Sequence, residues 1–258
     1  MNNWWDSQIK RAAQLSHLKG SKDLLDFYEH LLRSQKLIYE QLRSGKTSGD
    51  LERDLGVLTD CLRPLLQTVA THGPESLAED SQYIMESSPD VLRQLLFEYW
   101  STPTDIQFFG KACLQPYFKC LAETATKPVG RESIPDERHC GFCGGSPQVS
   151  FLKNKETTAE SGNRDLICGT CLTSWEFRRV VCANCGEERP TKIGYFHSSE
   201  FDHIRIEACD TCKHYLKGVD LTRMGFAMPL VDDIASAPLD LWAREQGYLK
   251  IELNLVGL

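Results

Sequence analysis

The sequence predicts an α+β fold, in which an N-terminal all-α helical domain precedes two tandem metal-binding modules and a C-terminal helix. Two observations lead to this prediction. Residues 1–128 repeat apolar side chains with a helical period and contain no C-x-x-C pair. Residues 136–217 then carry four C-x-x-C pairs separated by short runs of β-type residues. Residues 228–258 return to a helical pattern followed by a short tail, and we assign the three ranges to separate units.

Four stretches of the N-terminal region have the periodicity of amphipathic helices. Residues 21–43 repeat Leu, Phe, Tyr and Ile at helical intervals, with Ser21 as a candidate N-cap and Gly45 just past the end. The other stretches are residues 48–71, 89–101 and 104–122. Pro64 and Pro116 lie inside two of them, and we expect a break or kink at Pro64. A helical bundle is the simplest way to bury four such apolar faces.

The character of the sequence changes after the helical region. Residues 123–139 are rich in proline, glycine and charge, which is typical of a linker. Short β-type runs follow, and they suit small sheets held together by metal: Gln148–Leu152, Asp165–Ile167, Trp175–Val181, Lys192–Phe196 and Ile204–Glu207. Residues 228–249 indicate a helix, whose expected apolar anchors are Leu239, Leu241, Trp242 and Tyr248.

Eight of the eleven cysteines form an internal repeat of C-x-x-C pairs. The pairs are Cys140/Cys143, Cys168/Cys171, Cys182/Cys185 and Cys209/Cys212. The first and third pairs lie 42 residues apart, and the second and fourth lie 41 residues apart. Nearly equal offsets indicate a duplicated unit, here residues 136–178 and residues 179–217. Because each half is self-contained, we expect the first two pairs to bind one metal ion and the last two pairs to bind another.

The chemistry of these pairs explains their spacing. A C-x-x-C turn directs two thiolates at one ion, and a glycine after the second cysteine allows the positive φ of the turn. Gly144 and Gly186 occupy that position. Two turns complete a tetrahedral S₄ site, which suits zinc and iron alike and leaves no open coordination position. Iron would make the modules rubredoxin-like, whereas zinc would make them structural zinc ribbons.

Two other interpretations of the cysteines fit the sequence less well. A redox-active dithiol of the thioredoxin type is expected as one C-x-x-C pair that opens a helix after a strand, whereas this chain has four pairs in tandem. A 4Fe–4S cluster usually gathers its cysteines more closely along the chain. We therefore predict two four-cysteine sites, each with one ion.

The remaining cysteines and the nearby histidines have ordinary structural interpretations. Cys113 and Cys120 share one helical stripe and, like Cys61, are expected in the core. Three histidines lie near the pairs and are expected at the surface or in support of the ligands: His139, His203 and His214. The sequence contains no P-loop, dinucleotide-binding glycine motif or H-E-x-x-H. We therefore assign no catalytic or cofactor-binding residue and predict that the protein is not an enzyme.

Composition and charge restrict the cellular setting. The chain has no run of 18 apolar residues, so no membrane span is expected. The first residues, MNNWWDSQIKRAAQ, lack the pattern of a secretory signal, which favours a cytoplasmic location. Residues 136–217 contain 11 Lys and Arg and 12 Asp and Glu, a net charge of −1, within a chain of net charge −7. Nucleic-acid-binding ribbons concentrate positive charge, so no nucleic-acid partner is expected.

The cysteine-rich half contains four segments whose order and spacing resemble a known family. The segments are CGFCGGSPQVS, LICGTCLTSWEFRRVVCANCGEE, IEACDTCKHYLKGVD and VDDIASAPLDLWAREQGY. They place Trp175, Arg179, Tyr215–Leu216–Lys217 and Asp232–Asp233 where that family has them. Together they resemble the formate dehydrogenase accessory (formation) proteins, over roughly 120 residues from Cys140 onward. The segment FYEHLLRSQ, at residues 27–35, is similar in kind.

The resemblance implies a cytoplasmic factor for enzyme biogenesis. Members of that family act on respiratory formate dehydrogenase, a molybdenum or tungsten enzyme, before its export. They bind the catalytic subunit and are absent from the finished complex. Their sites are rubredoxin-like and bind iron, so the eight cysteines from Cys140 to Cys212 would be iron ligands, with zinc as the other metal that fits. A homodimer is compatible with this interpretation.

Two other functions stay open on the sequence. Tandem ribbons also occur in zinc-ribbon proteins that bind nucleic acids, although the charge of residues 136–217 opposes that function. A rubredoxin-type electron carrier would use the same two sites. That carrier would need a separate reductase, because the chain has no flavin or nicotinamide motif.

Overall fold

The computed structural model of this chain describes residues 4–18, 20–130, 136–153 and 163–258. Within these residues, helices come first, a β-sheet with the C-x-x-C pairs follows, and further helices lie near the C-terminus. This order confirms the predicted α+β fold class. None of the described helices has the length and apolar character needed to cross a membrane.

The helical region of the described chain contains six helices. Their bounds are α1 Trp4–Leu15, α2 Lys22–Ser44, α3 Leu51–His72, α4 Glu75–Glu86, α5 Pro89–Ser101 and α6 Phe108–Glu123. The sequence predicts α2, α3, α5 and α6 but misses α1 and α4. Helix α4 buries only Ser81 and Ile84, which is too few positions to produce an apolar period.

The prolines inside the predicted helices do not end them. Pro64 lies within α3 and Pro116 within α6, and both helices continue past the proline. Helix α3 is therefore not broken at Pro64, and the kink there stays a prediction. Leu62 and Leu65, on either side of Pro64, are fully buried, and we infer that their packing outweighs the loss of one helical hydrogen bond.

The strands form one sheet made of two similar halves. Their bounds are β1 Pro147–Lys153, β2 Asn163–Cys168, β3 Ser174–Phe177, β4 Ile193–His197, β5 Ile204–Cys209, β6 His214–Asp220 and β7 Leu249–Lys250. Strands β1, β2 and β3 form one antiparallel meander, and β4, β5 and β6 form another. Parallel pairing of β1 with β6 joins the halves, and β7 also pairs with β6.

The predicted strands differ from the structure at β3, β6 and β7, and β7 begins where the predicted helix 228–249 ends. Strand β3 ends at Phe177, so residues 178–181 of the predicted run Trp175–Val181 lie outside it. Strand β6 was not among the predicted runs, because its sequence HYLKGVD carries a lysine, a glycine and an aspartate. This lysine, Lys217, is fully buried in the structure.

The C-terminal region contains two helices where one was predicted. Helix α7 spans Pro229–Ala235 and α8 spans Ala237–Glu245, with Ser236 between them. A proline in the first turn of α8 explains the separate start, since proline cannot continue the hydrogen bonding of a preceding helix. Of the predicted anchors, Tyr248 is buried, whereas Leu241 is 55% exposed and is therefore not a buried anchor.

Helix α7 packs against both major regions of the molecule. It contacts α1 and α2 on one side and β1 and β6 on the other. The Ser21 hydroxyl lies at the predicted cap of α2, but it donates instead to the carbonyl of Ala235, 2.7 Å away. One apolar cluster contains helical residues such as Tyr28 together with Val149 and Val219 of the sheet. The division into units 1–128 and 136–217 stays a prediction.

Candidate metal centres

All four C-x-x-C pairs adopt the same backbone turn. The residue after the second cysteine donates its amide to the carbonyl of the first cysteine, over 2.8 to 3.2 Å. That residue has a positive φ in every turn: 73° at Gly144, 60° at Leu172, 76° at Gly186 and 58° at Lys213. The two glycines were expected. Leu172 and Lys213 were not, and each accepts a conformation that costs a residue with a Cβ about 1–2 kcal/mol.

The first two pairs bring four sulfur atoms together. The Sγ atoms of Cys140 and Cys171 lie 3.5 Å apart, as do those of Cys143 and Cys168. A disulfide bond would place two sulfurs about 2.05 Å apart. A tetrahedral ion with metal–sulfur bonds of about 2.3 Å would place them about 3.8 Å apart. The observed spacing is close to that of four ligands around one ion.

The last two pairs form a second cluster of the same kind. The Sγ atoms of Cys182 and Cys212 lie 3.7 Å apart, as do those of Cys185 and Cys209. Within each cluster, all four sulfurs lie within 4.8 Å of one another. The cysteines therefore group sequentially, first half with first half and second half with second half. In the described part of the chain, these two clusters are the groups of Cys, His, Asp and Glu suited to holding an ion.

Hydrogen-bond donors surround the sulfurs of the first cluster. The amide of Thr170 donates to Cys168 Sγ over 3.3 Å. The hydroxyl of Thr173 lies 2.9 Å from Cys171 Sγ and 3.3 Å from Cys140 Sγ. In the second cluster, the backbone amides of Asn184 and Cys185 donate hydrogen bonds to Cys182 Sγ. Such donors stabilise the negative charge of thiolates, which is the form that binds metal.

The ionisation of the sulfurs reflects their close packing. Hydrogen bonds from the neighbouring cysteines strongly lower the pKa of Cys140, whereas the hydrogen bond to Cys140 raises the pKa of Cys143. Burial works against ionisation of Cys212, but hydrogen bonds from Asn184 and other neighbours bring its pKa to about 7. A divalent cation favours the thiolate form of every ligand, so its binding would release the protons that the cysteines share.

The two clusters differ in their exposure to solvent. Every cysteine of the first cluster is at most 2% exposed, and the cluster belongs to the main apolar core. In the second cluster, Cys185 is exposed and Cys212 is half-buried. The first cluster is therefore an interior site, whereas the second lies at the surface.

The other cysteines and histidines of the sequence lie outside both clusters. Cys61, Cys113 and Cys120 are buried, as predicted. His214 is half-buried, and its Nδ1 contacts the carbonyl of Cys212 at 2.7 Å. His203 is buried, contrary to a surface position, and its Nε2 lies 2.9 Å from the Asp232 carboxylate.

A buried group of charges beside the second half of the sheet was not found from the sequence. Lys217 of β6 and Lys250 of β7 contact the carboxylates of Asp233 and Asp240, and all four side chains are fully buried. The Tyr215 hydroxyl also donates to Asp240, over 2.7 Å. Burial opposes ionisation of Asp233, but the two lysine charges lower its pKa to about 2. Two cations and two anions cancel, which makes their burial tolerable.

A second buried ion pair fastens the first helix to the C-terminal region. Arg11 of α1 donates to both carboxylate oxygens of Asp232, over 2.5 and 2.9 Å. One sequence signal points to both groups, because Asp232–Asp233 and Tyr215–Leu216–Lys217 belong to the segments that resemble the accessory family. Periodicity could not reveal them, since charged residues normally indicate an exposed face.

Comparisons with known proteins agree with one another. Residues 180–256 match the family model described as FdhE, C-terminal domain. A "Protein FdhE homolog" from Aquifex aeolicus is 32% identical over 257 residues, covering 92% of this chain and 89% of the relative. Another from Shewanella oneidensis is 26% identical over 269 residues, covering 95% and 86%. The crystal structure of the FdhE protein from Pseudomonas aeruginosa has a TM-score of 0.71 at 23% identity, covering 99% of this chain and 96% of that one.

Proposed function

Because the chain belongs to the FdhE family, we propose that it is an accessory protein for the biogenesis of respiratory formate dehydrogenase. It binds the catalytic subunit of that enzyme in the cytoplasm, before export, and leaves the finished complex. The observation that carries this proposal is the 32% identity to the Aquifex aeolicus relative, which extends over 92% of the chain. A similarity of that extent includes both the helical region and the cysteine-rich region.

The metal in this proposal is iron at both four-cysteine clusters, with zinc as the alternative. The ligands would be Cys140, Cys143, Cys168 and Cys171 in the first site and Cys182, Cys185, Cys209 and Cys212 in the second. The sulfur spacing and the donors around the sulfurs suit either ion. Bound iron would supply a one-electron couple, whereas zinc would supply only a structural link.

The proposed activity is binding rather than catalysis. Four cysteines fill the coordination of each ion, so neither ion would have a position for a substrate or a water molecule. The work of the protein would then lie in its contacts with the client enzyme. The surface-exposed second cluster would be the one through which electrons pass to or from that client.

The experiment that tests the function is complementation. A bacterium that has lost its own FdhE gene receives this chain, and its membranes are assayed for formate-dependent dye reduction. We expect restored activity, together with recovery of the catalytic subunit on a tagged form of the chain. Membranes without activity, in cells where the chain is folded and abundant, would reject the proposal.

The redox part of the proposal needs a separate test. Anaerobically purified protein should contain two irons per chain and should gain thiolate-to-Fe(III) absorption on oxidation. A Cys140→Ser variant that has lost metal but still restores full formate dehydrogenase activity would exclude a redox role for its site. Two zincs per chain would mean that both sites are purely structural, and this result would not contradict the accessory function.

The alternative of nucleic-acid binding is tested independently. A filter-binding titration with DNA and RNA at several salt concentrations should show only weak retention. Tight binding whose logarithm falls steeply with the logarithm of salt concentration would favour a zinc-ribbon nucleic-acid-binding protein instead.

A further inference from the structure

A groove lies where the N-terminal helices meet the tail after β7. Its volume is about 620 Å³, which is within the range of ligand and peptide sites. The walls come from the first half of α2, the turn between α3 and α4, the loop before α6 and the tail after β7. Its apolar lining includes Leu24, Phe27, Leu77, Ile106, Phe108 and Leu255.

The rim of the groove leaves apolar surface open to solvent. Ile106 is 82% exposed, although it is a large aliphatic residue on a short loop. Phe108 and Leu77 behind it are only half-buried. Ile106 belongs to the same lining as these two side chains, and contiguous apolar surface that stays open to solvent is typical of an interaction site, whereas a single exposed aliphatic residue is not.

The charges of the groove favour a cationic partner. Among its described lining residues, Asp23 and Asp105 are acidic, Lys111 is the one lysine or arginine, and His72 is the one histidine. Lys111 is 1% exposed and is already occupied by the Glu252 carboxylate and the carbonyl of Leu253, each 2.5 Å from its Nζ. Its charge is therefore neutralised. The Asp105 carboxylate accepts the backbone amide of Leu253 over 3.4 Å and Asp23 is exposed, so the remaining charge of the lining residues is negative.

The histidine of the lining does not change this balance. Burial and the nearby His30 lower the pKa of His72, and the two rings stack with centroids 3.6 Å apart. The lowered pKa favours the uncharged form of His72. The groove combines an apolar floor with acidic groups at its edge, and an occupant should present the complementary pattern.

We propose that this groove receives an apolar segment of the client polypeptide that carries at least one arginine or lysine. The apolar side chains of the segment would cover Ile106 and fill the space beside Phe108, and its cation would lie against Asp23 and Asp105. This inference rests on the proposed accessory function, because it gives the surface by which a client would be held.

Fluorescence anisotropy with three labelled twelve-residue peptides tests the pattern. One peptide is rich in leucine and alanine and contains two arginines, the second has glutamates in place of the arginines, and the third has serines in place of the leucines. We expect the arginine peptide to bind metal-loaded full-length protein, and the other two to bind at least about fivefold more weakly. Equal binding of all three, or binding of none, would overturn the proposal.

Charge reversal at the rim sharpens the test. Asp23 lies in the first turn of α2 and is exposed, so Asp23→Lys should fold. Asp23→Lys should lower the affinity for the arginine peptide and raise the affinity for the glutamate peptide, each by about threefold or more. A merely structural effect would not change the two affinities in opposite directions. The matched control is Asp90→Lys, which makes the same change in the first turn of α5, away from the groove. Identical effects of the two variants would contradict the assignment.

The apolar contact has its own pair of variants. Ile106→Ser should lower the affinity for the arginine peptide by about tenfold, because burial of an isoleucine side chain on binding contributes a free energy of about that size. Leu37→Ser, at an exposed leucine on α2 outside the groove, should leave binding unchanged. A fatty acid that binds in the groove while no peptide does would show an occupant of a different class and would refute the proposal.

Co-purification with the formate dehydrogenase catalytic subunit separates this inference from the proposed function. Loss of the subunit from Ile106→Arg, but not from Leu37→Arg, supports the groove as the client site. If both variants retain the subunit equally, the groove inference fails and the accessory function stands. If the wild-type chain never retains the subunit while the arginine peptide still binds, the accessory function fails and the groove remains a peptide site.

Discussion

The two four-cysteine clusters have the same backbone geometry but different surroundings. Each uses two C-x-x-C turns with a positive φ after the second cysteine, and each has sulfur pairs 3.5 to 3.7 Å apart. The first lies in the shared core, where Gln115 of α6 donates to the carbonyl of Gly169, 2.9 Å away. The second has an exposed cysteine, Cys185. Duplication has therefore preserved the metal-binding turn, whereas packing has made one site interior and the other accessible.

This difference suggests a division of labour. A metal ion that links two turns inside the core contributes to folding, because the unfolded chain has no preformed site. An ion at the surface can exchange, or pass electrons, with less disturbance of the rest of the molecule. The clusters should therefore respond unequally to the same chemical change.

The largest expected effect is on stability when one ligand of the interior cluster is removed. Cys143→Ser should lower the free energy of unfolding by about 4 kcal/mol or more and the melting temperature by about 10 °C or more, since it disrupts a buried metal site. Cys185→Ser, its counterpart in the second cluster, should cost less than half of that. Thermal unfolding of both metal-loaded variants checks the prediction, and equal losses would show that the clusters support the fold equally.

The buried charges that hold β6 should matter nearly as much. Lys217→Ala leaves the carboxylates of Asp233 and Asp240 with one lysine fewer, which should cost about 3–5 kcal/mol in denaturant unfolding. Because β6 begins just after Cys212, the last cysteine of the second cluster, the loss should loosen the second cluster more than the first. Lys213→Ala, at an exposed lysine four residues earlier, is the control and should change stability by less than about 1 kcal/mol.

Metal release should separate the two clusters in time. A chromogenic chelator added to the loaded protein should remove one ion per chain at least about tenfold faster than the other, because only the second cluster has exposed ligands. The Cys185→Ser variant should lack the fast phase and keep the slow one. A single phase for both ions in the wild-type protein would mean that the exposure of Cys185 does not control release.

These comparisons also show what a sequence can and cannot predict here. The sequential grouping of the cysteines follows from their spacing, since an ion needs four thiolates from two turns. The burial of one cluster does not follow, because it depends on helix α6 and the tail, which are distant in sequence. Lys217 and Lys250 look like surface residues until the acidic partners on α7 and α8 are placed beside them. Hydrophobic periodicity predicts which apolar side chains are buried, but it does not predict which charged side chains are buried as ion pairs.

The smallest expected effect concerns the residue after the second cysteine of the last turn. Lys213 has a φ of 58° and is exposed, so Lys213→Gly should relieve the left-handed strain and stabilise the protein by about 0.5–1 kcal/mol. It also removes an exposed ion pair with Asp210, which is worth little.

The equivalent change in the interior cluster should go the other way. Leu172 has nearly the same φ, 60°, but its side chain is buried, so Leu172→Gly should lose about 2 kcal/mol or more of packing and gain no net stability. Denaturant midpoints of the two glycine variants measure the contrast directly. If Leu172→Gly were as stabilising as Lys213→Gly, burial would not distinguish the two turns. That result would contradict the distinction between an interior cluster and an accessible cluster.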